Sequence, residues 1–232
     1  MRRRLIGMLA VLGACSAQAQ AEEIVVTAMR SEGYHQIPAV TITKPADFLV
    51  QQIRLINDSR APELRKKEII ATIDGMLKRA AKEKSIALSY GEGFLVPVNL
   101  SDESLQIIED RKRTDTSVVD IFVKVALTAG DDAKARIVSL RKFVAGVQRA
   151  GRTEIESLGD VGLSIVNPEK YRHDILARIA EENGRLVQAM GSRCQVTIKG
   201  LEGRVQWERI DVAELTLYIP YGVEIAQCGY QP

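Results

Sequence analysis

From Val119 to Leu127 the chain alternates: Val119, Ile121, Val123, Val125 and Leu127 are apolar, while Asp120 and Lys124 fall on the other phase. Successive side chains of a strand point to opposite faces, so this run predicts a half-buried strand, apolar on one face and carrying charge on the other. The same period governs Ile86, Leu88 and Tyr90, and every odd position from Leu215 to Ile225. Further extended segments are expected at Ala39 to Thr43, Phe48 to Ile56, Phe94 to Val98, Val161 to Val166, Cys194 to Ile198 and Val205 to Trp207.

Between these runs the period lengthens to that of a helix. Pro62 suits a first helical turn, and Leu64, Ile69, Ile70, Ile73, Leu77 and Ala80 form one apolar face up to about Lys84. Its opposite face, with Arg65, Lys66, Lys78, Arg79 and Lys82, is expected in solvent. A second helix is predicted from Ala133 to Val147 after the Gly130-Asp131-Asp132 turn, where acidic residues favour a helix N-terminus. A third begins at Asn167-Pro168-Glu169, with Asn167 as the expected cap, and runs to Met190. Its Tyr171, Ile175, Ile179, Leu186, Val187 and Met190 read as core. Ser101 to Arg113 has only Leu105, Ile107 and Ile108 to bury, so a short surface helix and loop are expected there. The fold class that follows is α+β, with mixed or antiparallel sheets and helices packed on one face.

The order of these pieces resembles the SIMPL-domain family, exported bacterial proteins of largely undefined function. The features that carry it are the opening Ile24-Val25-Val26-Thr27 strand, the strand and helix leading into Ile86-Ala87-Leu88-Ser89, and the Asp120-Ile121-Phe122-Val123-Lys124-Val125 strand. The Gly162-Leu163-Ser164-Ile165 strand and the long helix ending at Gly191 complete it. The chain departs from the family after its first strand, where Met29-Arg30-Ser31-Glu32-Gly33 replaces the usual Gly-Glu-Gly. The resemblance implies a SIMPL-like domain over residues 22–232, either whole or as two small lobes, 22–115 and 116–232.

The first residues have the form of an export signal. Arg2, Arg3 and Arg4 precede an apolar core from Leu5 to Ala14, and Ala17, Ala19 and Ala21 offer small residues for cleavage, so residues 1–21 are expected to be removed. The apolar core is about ten residues, half of the roughly 20 that a membrane-spanning helix needs. The mature chain is therefore expected to lack a transmembrane span and to reside in the periplasm. Leu12-Gly13-Ala14-Cys15 also resembles a lipobox, which would make Cys15 a lipid-bearing N-terminus instead. Loss of three arginines takes 32 basic residues to 29 against 30 acidic ones. A near-neutral protein is a poor partner for nucleic acid.

In an oxidising compartment Cys194 and Cys228 are candidates for a disulfide, with two separate thiols as the other reading. Catalysis finds little support. His35 and His173 have no neighbouring ligands at metal-site spacing, no nucleophile elbow occurs, and Gly91-Glu92-Gly93 reads as a turn or bulge. No cofactor is implied. A non-catalytic binding or assembly role is expected, with an unknown envelope protein or self-association as partner, and a hydrolase with an unrecognised site stands as a further alternative. Trp207, Tyr218 and Tyr221 are either an aromatic contact surface or core.

Glu23, Ile24, Val25, Val26 and Thr27, within Glu22 to Ala28, resemble a TonB box as well as a first strand. In outer-membrane receptors that box pairs with TonB as an added strand. No receptor barrel can follow in so short and helical a chain, so this resemblance implies a soluble, TonB-engaging adaptor. The two readings differ in whether the segment is paired within its own fold or left free.

Overall fold

The computed structural model describes residues 23–26, 37–92, 94–101, 105–128, 130–190 and 194–226. The expected signal, Cys15, Thr27, His35, Gly93 and Cys228 lie outside them. Twelve strands and three α-helices follow the described chain: β1 (Glu23–Val26), β2 (Ile42–Pro45), β3 (Phe48–Asn57), α1 (Pro62–Ala80), β4 (Ile86–Tyr90), β5 (Val96–Pro97), β6 (Ile108–Glu109), β7 (Ser117–Ala126), α2 (Ala133–Ala145), β8 (Thr153–Val166), α3 (Arg172–Ala189), β9 (Gln195–Lys199), β10 (Gln206–Arg209), β11 (Glu214–Tyr218) and β12 (Gly222–Ala226). The protein is α+β.

The principal sheet has seven strands, paired antiparallel in the order β1-β8-β3-β7-β4-β5, with β6 also against β7. It draws strands from both sides of residue 115, so the two halves of the chain share one sheet. Leu49, Ile53 and Leu55 of β3 and Ile121, Val123 and Val125 of β7 are buried, as are Ile69, Ile73 and Met76 of α1 and Leu140 and Phe143 of α2. Burying each such side chain contributes about 1.5–3 kcal/mol. The two helices meet where the Arg79 guanidinium lies 4.7 Å from the Phe143 ring and donates to the Phe143 carbonyl at 3.2 Å.

The expected solvated cationic face of α1 needs correction. Arg65 is 2% exposed, the largest wholly buried side chain among the described residues. Its Nε donates to Ser117 Oγ at 2.9 Å and a terminal nitrogen to the Ser59 carbonyl at 3.1 Å. It ties the loop before α1 to the start of β7. Periodicity places a residue on a face; it does not register that a guanidinium can fill a polar seam below it.

Other expectations shift as well. Ile108–Glu109 is a short strand against Ser117–Val118 instead of part of a helix, because the β7 edge offers hydrogen bonds that an isolated, mostly polar helical turn lacks. Asn167 is not a side-chain cap: it sits at φ 49°, left-handed, and a 3-10 turn over Pro168–Tyr171 precedes α3. Leu215 to Ile225 is not one strand. β11 joins β10 and β2 in a second sheet, whereas β12 forms a ribbon with β9, the change falling at Ile219–Tyr221. Tyr218 is buried, and Trp207 and Tyr221 pack partly buried on the core, so these aromatics are core.

β8 is much longer than the Val161–Val166 expectation because a bulge interrupts it. Val50 pairs with Gly162 and Gln52 with Leu158, and Gly159 takes φ 65°. The carbonyls this frees are satisfied: buried Gln51 donates to Leu158 and Gly159 at 3.1 and 3.3 Å, and Arg209 to Val161 at 2.8 Å. Asp132 caps α2 by accepting from the Lys134 and Ala135 N–H groups. Among the described residues no helix is long and apolar enough to cross a membrane.

Candidate functional site

The second face of the principal sheet carries its polar chemistry. Cross-strand pairing sets Glu156, Arg54 and Asp120 in one row, Leu158, Gln52 and Phe122 in the next, and then Val50 beside Lys124. Directly opposed residues share a face, so these side chains emerge together. Arg54 grips Asp120 with two parallel bonds, Nε to Oδ1 and a terminal nitrogen to Oδ2, both at 2.7 Å. That bond raises the Arg54 pKa above its ordinary value against a smaller desolvation effect, with further upward contributions from Asp120, Asp110 and Glu156.

Below this row the face closes into the protein. Glu23, Lys124 and Ser164 are buried at 7%, 5% and 0% exposure. Glu23 accepts from Ser164 Oγ at 2.7 Å through one carboxylate oxygen and from Lys124 Nζ through the other, while Lys124 stands 4.4 Å from the Phe48 ring centroid. A buried ion pair needs its remaining polar atoms satisfied, and here a hydroxyl and an aromatic face supply part of that. Sequence reading marked Glu23 as part of a first strand or TonB box, and Lys124 as the polar phase of another strand. Nothing in linear spacing joins residues this far apart.

Glu23 also carries the edge contacts of β1. β1 pairs with β8 from Glu23↔Val166 to Val26↔Leu163. Ile24 bridges Phe94, and the Leu95 N–H donates to the Glu23 carbonyl at 2.9 Å. The sheet's first strand thus meets the segment leading into β5, its last, and the backbone of Glu23–Ile24 is bonded on both sides.

Above the buried cluster the face opens into a hollow of about 370 Å³, bordered by Gln52, Arg54, Asp120 and Phe122 of the central strands and by Tyr90, Glu92, Leu105, Gln106 and Ile108 around them. Ile108 is 51% exposed. The volume falls within the roughly 300–1,000 Å³ of small-ligand sites. Its lining combines apolar side chains with amides and a mutually neutralised ion pair, which suits recognition by shape and hydrogen bonding.

Compared with protein-family models, curated proteins and solved structures, the chain matches none. Gly91 and Glu92 of the expected turn border the hollow, whereas His173 and Cys194 do not. His173 is exposed near the start of α3, and no group of three or more His, Cys, Asp or Glu residues placed to hold a metal ion occurs among the described residues. Cys194 directly precedes β9, whose Gln195 pairs with Ala226 of β12. The sequence signal that could have pointed to the hollow was the polar phase of β3 and β7, where Gln52, Arg54, Asp120 and Lys124 recur at every second position or nearly so.

Proposed function

We propose that this chain is an exported, SIMPL-like protein of the bacterial envelope that works in the periplasm by binding or assembly, not by catalysis. The observation that carries the reading is the open hollow on the polar face of the sheet. Two of its charged groups, Arg54 and Asp120, are spent on each other at 2.7 Å, leaving apolar walls, amides and the Glu92 carboxylate to meet a partner. The serine closest to a carboxylate on this face, Ser164, is wholly buried and donates to Glu23, which weighs against a hydrolase using it.

The alternative of a TonB-engaging adaptor needs residues 22–28 to be available as an added strand. Pairing of Glu23–Val26 with β8, the bond from Leu95 and the burial of the Glu23 carboxylate all weigh toward a first strand of the fold. Amide exchange of residues 23–26 should be slow in the free protein and unchanged by the C-terminal domain of TonB. Fast exchange that TonB suppresses would reverse the assignment.

A photo-crosslinking residue at Gln106, in the full chain expressed in a bacterium with an outer membrane, tests the binding role. The processed protein should fractionate with the periplasm and yield a discrete crosslinked species that the same label at exposed Lys134 does not. Cytoplasmic retention would refute the export reading, and absence of a hollow-specific species the binding one.

A further inference from the structure

We propose that the hollow receives an extended peptide segment, one residue of which enters the ladder and bonds the main chain of Asp120; this rests on the binding role proposed above. Backbone N–H and C=O groups of successive residues in an antiparallel strand point to alternate edges. On β7 the Ala126 N–H donates to the Ser85 carbonyl at 2.9 Å, and the Thr116 carbonyl accepts from Asp110 N–H at 2.8 Å. Both bonds lie on the edge that faces β4 and β6. Even-numbered residues between them therefore direct their backbone groups to that edge.

β4 covers the edge only as far as Ser89↔Phe122, and β6 only from Ile108↔Val118. Asp120 is the even residue left between them. Continuing β4 would set Gly91 opposite it and continuing β6 would set Gln106 there, but neither strand continues. Gly91 turns away at φ 135°, where a Cβ would stand 2.0 Å from the Phe94 carbonyl oxygen, and so sends the chain back toward β5. Among the described residues no backbone hydrogen bond fills the Asp120 position on this edge. Among the described residues a central strand thus has a gap in its ladder, and Gly91, Gln106, Val118, Asp120 and Phe122, which surround that gap, all border the hollow.

One residue of an extended peptide answers both features at once. Its main chain supplies the missing donor and acceptor, and an alternate side chain enters beside Leu105, Ile108 and Phe122. The surrounding charge selects further: Asp110 and Glu156 act on Arg54 in the same direction as Asp120, and Glu92 borders the opening. The segment that fits is short, extended, apolar at its centre and basic at its flanks.

The test uses the mature full chain, labelled with nitrogen-15, and the blocked peptide acetyl-Lys-Leu-Val-Lys-amide. In the free protein the Asp120 amide should exchange at least tenfold faster than that of Phe122. The peptide should shift it saturably and slow its exchange at least tenfold, and N-methylation of the peptide's valine should weaken binding by at least tenfold. An Asp120 amide already as protected as Phe122, or equal binding of the N-methylated peptide, would overturn the proposal. If peptides fail while the Gln106 label still captures an envelope component, the binding role stands and this inference falls; if both fail, both fall.

Discussion

Replacing Lys124 with methionine should destabilise the protein by about 3–4 kcal/mol, a large part of the 5–15 kcal/mol typical of a folded domain. Methionine keeps the stem's volume but removes the ammonium that faces Glu23 and lies over Phe48. The Glu23 carboxylate, 7% exposed, would keep only the Ser164 hydroxyl, and an uncompensated buried charge costs on the order of 3–5 kcal/mol. Equilibrium urea unfolding followed by Trp207 fluorescence reads this directly, since with a slope near 3 kcal/mol/M the midpoint falls by about 1 M. Glu23→Leu combined with Lys124→Met should recover most of the loss, because a buried pair replaced by apolar groups is often nearly neutral. A single-variant loss under about 1 kcal/mol, or a double variant that loses as much as the sum of the singles, would refute the claim that these charges hold each other inside the sheet.

Gly151 sits at φ 55° with a Cβ position 2.0 Å from Glu68 Cδ, a carboxylate held by Asn57, Ser59 and the Arg152 N–H. Gly151→Ala should cost on the order of 2 kcal/mol or more in urea unfolding, and an unchanged midpoint would show that the α2–β8 connection is not so constrained. Gln51→Leu should cost about 1–3 kcal/mol by orphaning the Leu158 and Gly159 carbonyls of the bulge, and no loss in the same assay would show that those carbonyls find other partners. The Arg136 guanidinium, with help from the Thr128 N–H and hydroxyl, lowers the Asp131 pKa from 3.8 to about 2. Its contribution to stability is therefore present above about pH 4 and lost as pH falls through about 2; a carboxyl NMR titration midpoint near 4 would contradict this. We also expect a Cys194–Cys228 bridge, since Ala226 pairs with the residue next to Cys194. Cys194→Ser should then lower the thermal midpoint under oxidising conditions, reflecting up to about 3–4 kcal/mol, and an unchanged midpoint would remove the bridge.

Most of the regular elements were legible because burial on one face imposes a period. The alternation from Val119 to Leu127 became β7, and the helical pattern from Leu64 to Ala80 became α1, each within a few residues of its expected ends, although Leu64 itself is 44% exposed. The misreadings cluster where a partner elsewhere in the chain decided the outcome. Ile108–Glu109 is extended because the edge of β7 lies beside it, and the alternation from Leu215 to Ile225 hides a change of sheet because both strands keep the same phase across the turn. Arg65 was assigned to solvent by its charge, yet carbonyls and a serine hydroxyl from distant segments make a buried seat for it.

The sequence by itself determined where most strands and helices form and which apolar faces of them turn inward, because propensity, periodicity and turn chemistry act over a few neighbouring residues. Only the tertiary structure decided that Glu23 meets Lys124 and Ser164, that Arg54 and Asp120 neutralise each other beneath an open hollow, and that among the described residues the ladder lapses at Asp120. Those relations depend on strand order and register, which bring together residues up to 141 positions apart. Local preference holds no information about which strands become neighbours; the closing of one shared core does.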